Sequence, residues 1–122
     1  MKNVLVDTDI LIDFLRGKEK AKAFLYSLVK EPVVYISAST IAELHAGMKE
    51  HEREQTEDLV DSLNMVDVNR EIVEKAGQYK RTLKTQALEL DDCIIAATAF
   101  VKQAVLATGN IKHYPMHDIE KI

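Results

Sequence analysis

The segment Val4-Leu5-Val6-Asp7-Thr8-Asp9-Ile10-Leu11-Ile12 decides the fold. An apolar run from Asn3 to Val6 stops at Asp7, and continuous runs of this length suit a strand covered on both faces. Asp7 or Thr8 can then cap a helix over residues 9–16 that Gly17 ends. The pattern repeats downstream. Val33 to Ile36 ends in Ser37, and Ser37 or Ser39 can cap a helix closing near Gly47. Met65 to Val68 and Ala104 to Ala107 are two further candidate strands. Between the strands the apolar period becomes helical: Ala21, Phe24, Leu25 and Leu28 share one face, and Ile72, Ala76, Tyr79 and Leu83 share another in a helix capped by Asn69. Glu50 to Asp61 is mostly charged, with a narrow stripe of Leu59, Val60 and Leu63, and reads as a solvated surface helix. Strands alternating with helices predict an α/β fold: a mainly parallel sheet of 4–5 strands with helices on both faces, forming a single domain over residues 1–122.

A chain of 122 residues with 47% apolar content can bury a core without disulfides or a structural metal. Its lone cysteine, Cys93, allows no internal disulfide and points to a reducing cytoplasm. The longest near-apolar run, Cys93 to Val101, is nine residues, far short of the roughly 20 that span a bilayer. Asp7, Asp9 and Asp13 interrupt what would be the apolar region of a secretory signal. A soluble, cytoplasmic protein with no membrane partner is expected. Sixteen basic and twenty acidic residues give a net charge of −4, so bulk charge does not mark a nucleic-acid binder. A local basic rim, or cations held by carboxylates, would not register in that sum.

Three acids occupy strategic places: Asp7 closes the first strand, Glu43 lies one turn inside the helix after the second, and Asp92 opens the helix before the fourth. Taken singly, Asp7 reads as a helix cap, Asp92 as a first-turn carboxylate favoured by the helix dipole, and Glu43 as a residue of a solvated face. Taken together, they can meet beyond the carboxyl ends of the strands, where such sheets collect function. Three converging carboxylates repel one another unless a cation joins them, and oxygen ligands suit Mg2+ or Mn2+. On this reasoning the metal-free site costs stability, and Asp7→Asn should leave the fold as stable or more stable.

With these residues in view, the chain resembles the PIN-domain nucleases, in particular the VapC-type toxins of prokaryotic toxin–antitoxin pairs. Val4-Leu5-Val6-Asp7-Thr8-Asp9-Ile10-Leu11-Ile12 looks like the family's opening strand and first acid. Ser37-Ala38-Ser39-Thr40-Ile41-Ala42-Glu43-Leu44 with Gly47 is similar to its second motif, Asp92-Cys93-Ile94-Ile95-Ala96-Ala97-Thr98-Ala99 to its third, and Ala107-Thr108-Gly109-Asn110-Ile111-Lys112-His113-Tyr114 to its fourth. The resemblance implies a metal-dependent endoribonuclease in which Asp7, Glu43 and Asp92 are the catalytic, metal-holding triad and cleavage leaves 5′-phosphate ends. It also implies an antitoxin partner and a homodimer, with Phe14, Leu15 and Tyr26 as candidate groove residues. Three positions depart from the family pattern. Asn110 and His113 stand where acids are common, and Asp91 stands where Pro is frequent; a neutral amide at position 110 argues against a permanently bound second cation.

Thr8, Thr40 and Thr108 carry hydroxyls beside the motifs and can orient the acids, while Asp91, about 100° around the helix from Asp92, faces the rim. Arg16, Lys18, Lys20 and Lys22 form a basic cluster after the first helix, of which Arg16 and Lys18 are candidates for RNA phosphates. A second cluster, Lys80, Arg81 and Lys84, reads as a solvent face. His113 and His117 are four apart, but Pro115 between them breaks zinc-binding helix geometry. Cys93 reads as a buried, inert thiol. Two alternatives stay open. Asp7-Thr8-Asp9 also matches the nucleophile motif of haloacid-dehalogenase-like phosphatases, and a PIN-like scaffold could bind RNA or protein without cutting.

Overall fold

Alternation along the first strand, β1 (Val4–Val6), sends Leu5 to one side of the sheet and Val4 and Val6 to the other, so one three-residue strand feeds two cores. The computed structural model describes residues 2–84 and 88–122. After β1 come helices α1 (Thr8–Leu15) and α2 (Glu19–Ser27), then strand β2 (Val34–Ser37). Helices α3 (Ala38–Gly47) and α4 (Arg53–Asp61) lead to β3 (Asn64–Val66), and α5 (Arg70–Thr82) and α6 (Leu90–Lys102) lead to β4 (Val105–Ala107). All pairings are parallel and the strand order is β3-β2-β1-β4. The carboxyl-terminal tail adds a partial fifth member: the Leu106 N–H donates to the Glu120 carbonyl (2.8 Å), and the Ile122 N–H to the Leu106 carbonyl (2.9 Å).

Each helix layer follows from the patterning. Helices α1 to α4 cover the face of Val4 and Val6 with Leu11, Phe24, Leu25, Leu44 and Leu59, joined by Leu28 of the 3₁₀ turn after α2. On the opposite face α6 packs through Cys93, Ala96, Ala97 and Ala99, all fully buried, whose small side chains let it lie close to the sheet while α5 backs it with Ile72, Ala76 and Tyr79. Gly17 takes φ +77°, the left-handed conformation that ends α1 as its position suggested.

The structure moves several boundaries. Helix α1 begins at Thr8, with Asp7 as its cap, one residue before the expected start. The acidic surface helix splits into a 3₁₀ turn over Glu50–Glu52 and α4. Strand β3 runs from Asn64 to Val66, shifted from 65–68, because at the edge of the described sheet its register is set by β2, with Tyr35, Ile36 and Ser37 opposite Asn64, Met65 and Val66. Helix α6 starts at Leu90, so Asp92 does not open it. It occupies the third helical position, and Glu89 is the cap.

Candidate active site

Strand order reverses between β1 and β4, and that seam builds the site. The Asp7 N–H donates to the Ala107 carbonyl (2.8 Å), joining the two strand ends. The Asp7 side chain is buried, and both its oxygens are engaged. Oδ1 accepts the Thr8 N–H (2.8 Å), the helix-cap bond, while Oδ2 accepts the hydroxyls of Thr108 (2.8 Å) and Tyr114 (2.9 Å). Thr108 Oγ1 in turn accepts the Asn110 N–H (3.1 Å). Thr8 and Thr40 share a hydroxyl–hydroxyl bond of 2.9 Å that ties the start of α1 to α3, one turn before Glu43. Cap and site residue are thus one side chain in two roles.

Asp92 is fixed by its place in the first turn of α6. Its Oδ2 accepts the Glu89 N–H (3.0 Å), half of a reciprocal capping arrangement, and lies 2.8 Å from His113 Nε2. Asp9 Oδ2 accepts the Gly109 N–H (3.0 Å). A Cβ on Gly109 would fall 2.6 Å from that oxygen, so only glycine permits this approach. Glu43 projects from α3 into the same space. One open cleft of about 360 Å³ is lined by six carboxylates: Asp7, Asp9, Glu43, Glu89, Asp91 and Asp92.

Burial and like charge act together on the acids of the cleft. Partial burial, then the charges of Asp91, Asp7 and Asp92, hold the Glu43 carboxyl above the usual carboxylate range. Asp9 is raised too, first by burial and then by Asp7. Burial and the adjacent Asp7 push the Tyr114 hydroxyl far above its ordinary value, keeping it a proton donor. The cleft's carboxylate oxygens, with the Asn110 carbonyl on its wall, form a donor set for a hard cation. Among the described residues no three His, Cys, Asp or Glu side chains stand close enough to enclose an ion.

Asp7, Glu43, Asp92, Thr8, Asn110 and, at the rim, Asp91 all line the cleft, while Thr40 and Thr108 stand behind it as hydrogen-bond partners. The two basic candidates separate. Arg16 shares an adjoining recess with Glu43, Leu15, Gly47 and Met48, whereas Lys18 turns away to Asp13 (3.3 Å). Cys93 is fully buried and its thiol is pushed up by that burial, the inert state expected of it. Three residues of the site lie outside those the sequence singles out as candidates: Asp9, Glu89 and Tyr114. Asp9 was the most accessible of these, two residues after Asp7 and on the first turn of the same helix. His113 stands in sequence where an acid is common and four residues from His117; in the structure its ring meets Asp92.

Comparison with known proteins agrees with this geometry. The family model for the PIN domain matches residues 4–116. Ribonuclease VapC10 of Mycobacterium tuberculosis is 37% identical over 117 residues, covering 94% of this chain and 88% of that protein. Ribonuclease VapC1 of Methanocaldococcus jannaschii is 33% identical over 114 residues, covering 91% and 78%. Among solved structures, a toxin–antitoxin complex from Klebsiella pneumoniae superimposes with a TM-score of 0.81 at 31% identity, covering 93% of this chain and 92% of that one.

Proposed function

The chain belongs to the PIN-domain family, and from that premise we propose that its acidic cleft hydrolyses RNA phosphodiester bonds as the toxin of a toxin–antitoxin pair. The observation that carries the reading is the meeting of carboxylates from α1, α3 and α6 at the β1–β4 seam, with Asp7 braced by two hydroxyls.

In this reading Asp7 and Asp92 would hold Mg2+ or Mn2+, which would supply charge neutralisation at phosphorus and acidify a water toward neutral pH. Glu43 would orient the attacking water and take its proton, a task for which a raised carboxyl is better suited than an ordinary one. The water oxygen would bond to phosphorus as the bond to the 3′ oxygen breaks; that oxygen would take a proton from solvent and leave as a hydroxyl, Glu43 would release the proton it took, and a 5′-phosphate end would result. Thr8, Thr40 and Thr108 keep the acids in place. Arg16, on the far side of Glu43, contacts a neighbouring phosphate of the strand.

The antitoxin's apolar segment would lie in a separate groove lined by Phe14, Tyr26, Val29 and Leu63, where Tyr26 is 66% and Val29 82% exposed. Leu15 serves the Arg16 recess instead. We also propose a homodimer, checked by sedimentation at micromolar concentration, and residence in the cytoplasm. No described helix is long and apolar enough to cross a membrane.

The test is incubation of structured RNA with and without Mg2+ or Mn2+, comparing the wild type with Asp7→Asn and Glu43→Gln. Each variant should lose at least about 100-fold in rate. Cleavage that survives excess chelator refutes the reading, as does a phospho-aspartate at position 7 trapped by borohydride, which would favour the phosphatase chemistry.

A further inference from the structure

The ring of Tyr114 packs in the core beneath α6 and is 2% exposed, a place phenylalanine would fill as well. Its hydroxyl does something the packing does not require: it reaches across 107 residues of chain to Asp7 Oδ2 at 2.9 Å. A carboxylate offers about four lone-pair positions. Thr108 and Tyr114 occupy both on Oδ2, and the Thr8 N–H takes one on Oδ1, so Oδ1 alone keeps capacity for a further partner. Tyr114 is itself held. Its N–H donates to the Ile111 carbonyl (3.1 Å), its carbonyl accepts Lys121 Nζ (2.9 Å), and the His113 ring stands edge-on at 5.6 Å.

Resting on the reading of Asp7 as a cation ligand, we infer that Tyr114 is a positioning residue of the nuclease, whose hydroxyl locks the Asp7 carboxylate so that Oδ1 faces the cation. Hydrogen bonds to a ligating carboxylate fix its rotamer, and losing such a partner weakens metal binding by about 10- to 100-fold. His113, the preceding residue, reaches Asp92 in the same way, so one dipeptide touches the acids of two helices.

The experiment is a Mn2+ titration of the metal-free protein, read by calorimetry and by electron paramagnetic resonance, on the wild type, Tyr114→Phe and Tyr79→Phe. Tyr79 is the matched control: it is equally buried in the α5–α6 core, and its hydroxyl donates to the carboxylate of Asp118 (2.6 Å), outside the acidic cleft. Tyr114→Phe should weaken Mn2+ binding about 10-fold or more, and Tyr79→Phe should leave it unchanged. Equal or tighter binding by Tyr114→Phe, or an equal loss in both variants, overturns the inference. If Tyr114→Phe does not fold, Thr108→Val removes the other donor on the same oxygen; retained affinity there overturns the inference and a loss supports it. A wild type that binds no Mn2+ overturns the cation reading itself, and this inference falls with it.

Discussion

Asp7→Asn and Glu43→Gln both remove one negative charge from the cleft, yet the structure predicts opposite effects on stability without metal. At Asp7 three donors converge on two carboxylate oxygens. An asparagine keeps one acceptor oxygen and turns an NH2 toward at least one of them, so at least one of these bonds to a charged acceptor is lost or must be remade with a neutral amide. Hydrogen bonds to a charged group contribute about 1.5–3 kcal/mol each, so losing one should lower the melting temperature by roughly 5–10 °C in a domain of this size. This reverses the expectation drawn from repulsion alone. Glu43 shows no hydrogen bond among the described residues and faces Asp91, Asp7 and Asp92, so Glu43→Gln relieves repulsion and breaks nothing. Its exposure limits the gain to the scale of an exposed charge pair, about 0.2–1 kcal/mol.

The pH dependence follows from the direction of the Glu43 shift. Its folded-state value lies above its unfolded one, so the folded protein binds more protons and carries a penalty that is absent below the unfolded value. That penalty grows as pH rises between the two values and is constant above the folded one. Thermal melting in chelator at several pH values should therefore show Glu43→Gln converging with the wild type in acid and exceeding it at neutrality. Adding Mg2+ at 100 times its dissociation constant should stabilise the wild type by about 2.7 kcal/mol and Asp7→Asn by much less. Asp7→Asn melting at or above the wild type in chelator, or Glu43→Gln melting below it at neutral pH, would refute this account.

Three further outcomes are expected. Gln103 closes α6 at φ 52°, ψ 42°, so Gln103→Gly should raise stability by up to about 1 kcal/mol in chemical denaturation. Gly109→Ala would drive a Cβ into the Asp9 carboxylate, so it should lower both the melting temperature and RNA cleavage, and Asp9→Ala in the same chain should restore part of the stability. Arg16→Ala should raise KM for RNA and flatten its salt dependence while leaving Mn2+ affinity unchanged, because Arg16 lines the recess beside Glu43 and not the acidic cleft.

What could be read from the sequence, and what could not, divides by distance along the chain. Strand runs and helix caps are local: Asp7, Ser37 and Asn69 each cap the helix that their position announced, because the side chain that accepts the bond sits within three residues of its donor. The parallel sheet follows from the alternation of elements, and β3 slipped because its neighbour, not its own residues, sets its register. The acids were legible since each lies at a strand or helix end that the topology brings to one seam. Their supports were not. Tyr114 and Thr108 lie 107 and 101 residues from Asp7, and His113 lies 21 from Asp92, so no local period records those bonds.

The same geometry explains why Asp7 need not be either a cap or a cation ligand. A cap bond takes one lone pair of Oδ1, which is what any helix start asks of an aspartate. The two hydroxyls on Oδ2 hold the carboxylate plane while that cap fixes its inner edge, so the helix start orients the remaining lone pair. Because Asp7 also donates its own N–H to the Ala107 carbonyl, the seam between β1 and β4 and the start of α1 are positioned together. A carboxylate held by three donors loses little rotamer entropy when a cation arrives, and the stability it lends the fold offsets the repulsion that Glu43, unbraced, still carries.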